Sequence, residues 1–355
     1  MFTCEMNRST ALASGVDLGS SAAGKPVMPT GEDASRIDPS VPVLSVRDLS
    51  VRYDLEDGQI QAVVEVSFDL EPGETFAIVG ESGSGKSTLA LSLLGMAPVT
   101  AGDIRLDGQS IAALGRAALS KIRGHRIAMI FQEPMTSLNP VLTVGYQLTE
   151  AIRLHTSLGR REATQHAVLM LSKVGISDAE RRLRQYPHEL SGGMRQRVMI
   201  AMALSCNPAV LVADEPTTAL DVTVQAQILD LIADLQRDLG TAVVLITHDI
   251  GVVAETADRI AVMYAGRIVE EAPTAQLFAH PRHPYTQGLL RSVPRVDVPR
   301  TDEPLPSMSG SAPSMRHVPA GCPFRDRCDQ VHDRCSETPP LVRIGTDSVR
   351  CWLHA

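Results

Sequence analysis

The sequence predicts an α/β fold with a largely parallel sheet, a smaller helical lobe and a C-terminal appendage. Two continuous apolar runs, at residues 210–213 and 241–246, lie between helical segments and are typical of strands buried on both faces. The chain has 355 residues, more than one compact domain usually holds. A large core with a smaller lobe and appendages is therefore expected.

The remaining elements follow from local patterns along the chain. Residues 43–53 and 62–70 alternate as strands do, and a turn at 71–74 leads into a short β-rich run at 75–79. Residues 86–95 are typical of a helix, and residues 126–131 of another strand. Helical periodicity with several charges then predicts an inserted helical lobe at about 134–194.

Composition shifts set the domain boundaries. Residues 1–41 are rich in Ser, Ala, Gly, Pro and Asp without a period, which predicts a disordered lead-in. The main domain is expected at 42–272. Residues 273–355 turn Pro- and Arg-rich and end in four clustered cysteines, so we expect a separate C-terminal region there.

Charge and composition argue against several classes of protein. A formal net charge of −8 and an aromatic content of 3% give no footprint for nucleic acid. No stretch is long and apolar enough to span a bilayer, and the N-terminus lacks an export signal pattern. If the protein serves transport, the pore is expected to belong to other chains.

The loop after the run at 75–79 matches the phosphate-binding pattern G-x-x-x-x-G-K-[ST]. Glycines there let backbone N–H groups approach phosphate oxygens, and the helix starting near Lys86 presents its positive end. Lys86 would reach the β- and γ-phosphates of ATP, and the Ser87 hydroxyl would coordinate Mg²⁺. The predicted nucleotide-binding residues of this loop are Gly80, Ser82, Gly83, Ser84, Gly85, Lys86, Ser87 and Thr88.

Two adjacent carboxylates, Asp214 and Glu215, follow the apolar run at 210–213. Behind a phosphate loop, an acid at a strand end is suited to hold Mg²⁺ through water, and we assign that role to Asp214. The alternative is that these carboxylates cap the next helix, since Pro216 and two threonines follow.

A second Gly-rich element, Ser191-Gly192-Gly193, leads into a predicted helix. Its serine hydroxyl, backbone amides and helix N-terminus form a further anion site. Together with the phosphate loop, this element resembles the ATP-binding cassette of ABC transporters. The resemblance implies a P-loop, RecA-like ATPase core with an antiparallel β subdomain and an inserted helical lobe.

The same resemblance implies roles for single residues. Glu215 would polarise the attacking water as the general base, His248 would contact the γ-phosphate, and Gln132 would touch Mg²⁺ or water where membrane subunits dock. Asp221 matches the loop that crosses to a partner ATPase, while Ser191, Gly192 and Gly193 would cap the ATP of that partner. Tyr53 is the candidate to stack on adenine, and a core tyrosine is the alternative reading.

The C-terminal region narrows the resemblance to oligopeptide and dipeptide importer ATPases. Four segments show this narrower resemblance. They are His283-Pro284-Tyr285-Thr286, the run from Gly321 to Cys328, Phe131-Gln132-Glu133-Pro134 and Ser137-Leu138-Asn139-Pro140. The resemblance covers about residues 43–353.

Cys322, Cys328, Cys335 and Cys351 follow the spacing C-x5-C-x6-C-x15-C. Disulfides are not expected beside an intracellular ATP site, and structural zinc prefers closer pairs. Four thiolates on wide loops suit a 4Fe–4S cluster, and the same pattern in some peptide-importer ATPases resembles such a site. Zinc, or free thiols in a small apolar knot with Phe324 and Trp352, are the alternatives. We assign no ligand role to Cys4 or Cys206, and expect Cys206 in a core helix.

The resemblance implies an ATPase that powers di- or oligopeptide import from the cytoplasmic face of the membrane. Its implied partners are a homologous ATPase (as a heterodimer), two transmembrane permease subunits and an extracytoplasmic substrate-binding protein. An importer of nickel, glutathione or another small solute is the alternative within the same subfamily. A non-transport ABC ATPase acting on DNA or the ribosome would require coiled-coil insertions, a second cassette or a basic arm, and none is found in the sequence. An iron–sulfur regulator that merely binds nucleotide would not need Glu215 and His248.

Overall fold

A mixed eight-stranded sheet forms the centre of the fold. The computed structural model describes residues 41–56, 58–133, 137–218, 220–292 and 308–355, so nearly all of the predicted lead-in lies outside the described residues, as do Cys4 and Pro134. The sheet has the strand order β11-β12-β10-β9-β3-β8-β7-β6. Its strands are β3 (Thr75–Val79), β6 (Ile127–Ile130), β7 (Val210–Asp214), β8 (Ala242–Thr247), β9 (Arg259–Tyr264), β10 (Arg267–Pro273), β11 (Val342–Ile344) and β12 (Asp347–Val349).

The five strands from β9 to β6 are parallel, whereas β10, β12 and β11 are antiparallel to their neighbours. Every residue of β3, β7 and β8 is buried, because apolar side chains cover both faces. On β3, Phe76 and Ile78 face one core while Ala77 and Val79 face the other. The prediction of an α/β core with a largely parallel sheet is confirmed.

A separate four-stranded antiparallel sheet lies on the phosphate-loop side of the core, in the order β2-β1-β4-β5. Its strands are β1 (Leu44–Leu55), β2 (Gly58–Leu70), β4 (Val99–Leu106) and β5 (Gln109–Ser110). The Val64 N–H of β2 donates to the Gly266 carbonyl at 2.8 Å, which joins this sheet to the turn between β9 and β10.

Helices connect the strands and build the lobe. They are α1 (Lys86–Leu93), α2 (Arg116–Ile122), α3 (Val144–His155), α4 (Arg160–Lys173), α5 (Ala179–Arg182), α6 (Gly192–Leu204), α7 (Val222–Leu239), α8 (Ile250–Thr256), α9 (Thr274–Ala279) and α10 (Pro284–Arg291). Helices α3 to α6 lie between β6 and β7 in the chain and pack through buried side chains such as Leu148, Met170 and Val198. Cys206 lies beyond the end of α6 and is only half-buried, so its expected place in a core helix is wrong.

The C-terminal region adds to the central sheet. Strand β12 pairs with β10, joining Glu270 to Val349 and Glu271 to Ser348, and the described residues from 41 onward belong to one compact unit. The composition shift near residue 273 does not reveal this pairing, because it depends on contacts between residues far apart in the chain. Among the described residues, no helix is both long enough and apolar enough to span a bilayer.

Candidate nucleotide site

The phosphate loop turns from the end of β3 into α1 through positions that only glycine can occupy. Gly80 has φ +157°, and a Cβ there would lie 2.2 Å from the Met263 carbonyl oxygen. Gly85 has φ +104°, and a Cβ there would lie 2.3 Å from the carbonyl oxygen of Ala62. The loop is therefore wedged between β9 and β2, and its backbone follows a path closed to other residues.

Lys86 begins α1 and its side chain turns back over the loop. The Nζ donates to the carbonyl oxygens of Gly80 at 2.7 Å and Glu81 at 2.9 Å. Burial lowers the pKa of Lys86, while the carboxylates of Glu215, Asp214 and Glu81 oppose that shift. A buried ammonium next to a helix N-terminus supplies the positive charge that a polyphosphate requires.

The other loop residues lie around this turn. Ser82 and Gly83 are exposed and Thr88 is half-buried. Ser84 is buried, and its Oγ has no hydrogen-bond partner among the described residues. The Ser84 hydroxyl is therefore a buried polar group of the loop for which the described residues offer no partner.

Asp214 and Ser87 form the part of the site suited to Mg²⁺. The Ser87 Oγ donates to Asp214 Oδ1 at 3.2 Å. Burial raises the pKa of Asp214, and the hydrogen bond from Ser87 opposes that shift. A hydroxyl and a carboxylate oxygen side by side are the hard oxygen donors that Mg²⁺ prefers, so the residues present fit this ion.

Glu215 is held in an unusual backbone conformation at the end of β7. Its φ is +46°, a region that costs on the order of 1–3 kcal/mol for a residue with a side chain. The Glu215 N–H donates to the Ile246 carbonyl at 2.8 Å, which ties this turn to β8. Strained positions fixed by their surroundings cluster at active sites.

Three side chains contact the Glu215 carboxylate. Gln132 Nε2 donates to Oε2 at 3.0 Å, and Thr218 Oγ1 donates to the same atom at 2.8 Å. His248 Nδ1 lies 3.3 Å from Oε1, and the His248 side chain is 60% exposed. The structure thus brings together the three predicted catalytic residues, Glu215, His248 and Gln132. Thr218 was missed by sequence reasoning, although it stands three residues after Glu215.

The helix-cap alternative for the two carboxylates is wrong. The next helix, α7, is capped by Asp221, whose side chain accepts from the Val224 N–H at 3.0 Å. Asp214 and Glu215 belong to the preceding strand and turn. Asp221 is exposed, and Ala219 beside it lies outside the described residues.

The Ser191-Gly192-Gly193 element stands at the N-terminus of α6. The Ser191 Oγ accepts from the Met194 N–H at 3.3 Å, and Ser191 and Gly192 are exposed. One turn along α6, Gln196 is buried and donates through Nε2 to the Pro216 carbonyl at 2.5 Å. This contact connects the lobe to the turn that carries Glu215, and no motif signals it.

Tyr53 lies on β1, half-buried and packed against the core. It pairs with Ile60 on β2, two residues before Ala62, whose carbonyl meets the phosphate loop. The structure therefore places Tyr53 on the sheet that borders the loop, and its stacking role stays a prediction.

The four tail cysteines are free thiols. Cys322, Cys335 and Cys351 are buried and Cys328 is half-buried. Cys322 and Cys335 belong to the same core cluster as Phe324, and Cys328 and Trp352 pack against that cluster. Burial raises the pKa of Cys322 to about 11, and it also raises the pKa values of Cys328 and Cys351. Within the described ranges no group of three His, Cys, Asp or Glu residues is arranged to hold a metal ion. The structure therefore gives no support to the predicted 4Fe–4S cluster, which stays a prediction.

A largely parallel sheet with a phosphate loop after β3, a carboxylate turn after β7 and a Ser-Gly-Gly helix start is typical of an ATP-binding cassette. The family described as "ABC transporter" matches residues 63–218. The family described as "Oligopeptide/dipeptide transporter, C-terminal region" matches residues 269–335.

Curated relatives and solved structures agree with this class. The dipeptide transport ATP-binding protein DppD of Bacillus subtilis is 51% identical over 319 residues, covering 88% of this chain and 95% of that protein. The oligopeptide transport ATP-binding protein OppD of Haemophilus influenzae is 47% identical over 318 residues, covering 88% and 98%. The dimeric cassette MJ0796, a bacterial ABC transporter cassette, superposes with a TM-score of 0.60 at 30% identity, covering 65% of this chain and 98% of that one.

This chain therefore belongs to the family of ATP-binding subunits of oligopeptide and dipeptide ABC transporters.

Proposed function

We propose that this protein hydrolyses ATP to power the uptake of di- or oligopeptides across the cytoplasmic membrane. The observation that carries the proposal is that one chain matches both the ABC transporter family and the C-terminal region of oligopeptide and dipeptide transporters. Relatives covered over nearly their whole length are named for dipeptide and oligopeptide transport.

The site geometry supports a division of roles. Lys86 and the amides of the phosphate loop would bind the β- and γ-phosphates, and Ser87, Asp214 and Gln132 would hold Mg²⁺. Bound Mg²⁺ would neutralise charge on the phosphates. Glu215 is the general base, because its carboxylate is accessible to a water and is steadied by Gln132, Thr218 and His248.

The Ser191-Gly192-Gly193 element, in which Ser191 and Gly192 are exposed, supports a partner cassette. It has the features of an anion site, although the chain already has one such site in its phosphate loop. A second anion site is therefore available for the nucleotide of another chain. We propose that it caps ATP held by a second, homologous ATPase, and that hydrolysis releases the pair. One relative by fold, MJ0796, is described as dimeric in a post-hydrolysis state bound to ADP and Pi. We propose that the pair is a heterodimer and that Asp221 lies in the loop that crosses to the partner ATPase.

An ATP-binding subunit of a peptide importer implies two further kinds of partner, transmembrane permease subunits and a substrate-binding protein. A groove of about 710 Å³ on the lobe is lined by α3 and α4 and includes Tyr146, Arg153 and Leu154. Tyr146 is 52% and Leu154 is 70% exposed. We propose that this groove receives a permease segment, with the protein peripheral at the cytoplasmic face of the membrane.

Peptide uptake in the source cell tests the proposed cargo. Cells whose own copy is replaced by Glu215→Gln should lose uptake of radiolabelled di- and oligopeptides, and cells with the exposed-site control Glu255→Gln should keep it. Peptide uptake unaffected by Glu215→Gln, with nickel or glutathione uptake lost instead, would assign the protein to the alternative cargo.

The 4Fe–4S cluster stays a prediction that rests on the number and type of donors at Cys322, Cys328, Cys335 and Cys351. Anaerobic purification with iron, sulfide and zinc analysis tests it. About four irons and four sulfides per chain, lost on Cys322→Ser and kept on Cys206→Ser, would establish the cluster. One zinc per chain would make the region a structural clip, and a metal-free protein would leave the thiols as core residues.

A further inference from the structure

Arg327 reaches from the cysteine-rich tail to the phosphate loop. It ends the 3₁₀ turn Arg325–Arg327, between Cys322 and Cys328. Its Nη1 lies 2.9 Å from Glu81 Oε1 and 3.1 Å from Glu81 Oε2, across 246 residues of sequence. Glu81 is the second residue of the loop that is proposed to bind phosphate.

The guanidinium is buried and held on several sides. Only 7% of the Arg327 side chain is exposed. Its Nη1 also donates to Tyr264 Oη at 3.3 Å, and its Nε donates to the Ser309 carbonyl at 3.0 Å. The ring centroids of Tyr264 and Phe324 lie 5.9 Å and 5.8 Å from the Arg327 Cζ atom. A charge fixed in this way loses little further entropy when it pairs with Glu81.

A second tail residue holds the main chain at the same point. Tyr285 is fully buried, and its Oη accepts from the Glu81 N–H at 3.0 Å. The Glu81 carbonyl in turn accepts from Lys86 Nζ at 2.9 Å. The backbone of Glu81 is therefore fixed at its N–H by Tyr285, while its side chain is fixed by Arg327.

The negative charge of Glu81 links its pairing with Arg327 to nucleotide binding. A carboxylate in a phosphate loop repels a polyphosphate, and partial burial strengthens that repulsion. Arg327 is the cation that neutralises it, because Lys86 is directed to the backbone carbonyls. No other basic side chain contacts the Glu81 carboxylate among the hydrogen bonds and ion pairs of the described residues.

We propose that Arg327 is a positioning residue for ATP binding and hydrolysis: it fixes the Glu81 side chain and cancels its charge, while Tyr285 fixes the Glu81 backbone. The inference rests on the loop being the ATP site. It makes the C-terminal region part of the nucleotide site through its contacts with Glu81.

A double-variant cycle on the full-length protein tests the charge cancellation. Arg327→Gln should weaken ATP binding about tenfold, and ADP binding less, because ADP carries less charge. Glu81→Gln alone should change ATP affinity less than threefold. The double variant Glu81→Gln with Arg327→Gln should recover most of the affinity lost in Arg327→Gln, and Arg327→Lys should recover part of it.

Arg325→Gln is the matched control. Arg325 belongs to the same turn but bonds Asp326 and the Ala320 carbonyl, so it should leave ATP affinity and the KM for ATP unchanged. Thermal unfolding of each variant without nucleotide separates lost folding from lost positioning. Unchanged ATP affinity in Arg327→Gln, no recovery in the double variant, or an equal loss in Arg325→Gln would overturn the proposal. Absence of ATP binding by the unaltered protein would instead reject the proposed ATP site.

Discussion

Gln132 and Glu215 are joined by a hydrogen bond of 3.0 Å from Nε2 to Oε2, although they follow different strands. Gln132 stands after β6, where the chain leaves the core for the helical lobe, and Glu215 stands after β7. A displacement of the lobe would therefore change the surroundings of the proposed general base directly. This contact gives a short path by which an event at the lobe could reach ATP hydrolysis.

Replacing the base should separate binding from turnover. Glu215→Gln keeps the shape and the contact to Gln132 but cannot accept a proton, so kcat should fall by about 10²–10⁴-fold. Phosphate-release kinetics and ATP binding by the same preparation check this. Glu255→Gln on the exposed face of α8 is the control, and hydrolysis at the original rate in Glu215→Gln would require a different base.

Loss of the loop lysine should abolish the stabilisation that ATP gives. At ATP hundredfold above Kd, binding should add about 2.7 kcal/mol to the free energy of unfolding. Lys86→Ala should lose this increment because the buried ammonium is removed. Chemical unfolding with and without ATP measures it, with Lys121→Ala on the exposed face of α2 as the control. An intact ATP increment in Lys86→Ala would contradict the assignment of the loop.

Two substitutions at Ser191 should separate its cap from its proposed contact with a partner's ATP. Ser191→Ala removes the acceptor for the Met194 N–H and should cost about 1 kcal/mol of unfolding free energy. Ser191→Asp keeps a cap acceptor but adds a negative charge, so stability should hold while ATPase activity of the assembled pair falls more than tenfold. If Ser191→Asp hydrolysed ATP normally, this serine would be a helix cap only.

His283 should make the protein sensitive to acid. It is fully buried, its Nδ1 accepts from the Tyr285 N–H at 3.0 Å, and burial lowers its pKa from 6.5 to about 3. Between these pH values the unfolded chain binds a proton that the folded protein does not. Stability is therefore lost as pH falls below 6.5, by about 2 kcal/mol at pH 5 from this group.

Urea unfolding of His283→Asn at pH 7 and pH 5 isolates that contribution, because asparagine can still cap α10. The variant should lose about 2 kcal/mol less than the unaltered protein over this interval. His280→Asn, at an exposed histidine, serves as the control. Equal losses in His283→Asn and the unaltered protein would contradict a neutral, buried His283.

Features that depend on residues close together in the chain could be predicted from the sequence. Continuous apolar runs identified β7 and β8, and the loop and carboxylate motifs identified residues that the structure gathers at one sheet edge. Arg327 and Glu81 could not be paired in advance, because nothing local to either residue specifies a contact over 246 positions. The addition of β11 and β12 to the sheet was missed for the same reason, since three-residue strands carry too little pattern to identify a partner.

The hairpin of β11 and β12 also bears on solubility. An unpaired strand edge offers its N–H and C=O groups to any other extended chain and so invites aggregation. Here β12 covers the edge of β10, and the new outer strand is only three residues long, with exposed Arg343 at its centre. A short, charged edge is a poor template for further pairing. The β11–β12 hairpin thus makes this edge of the sheet a poor site for aggregation with other protein molecules.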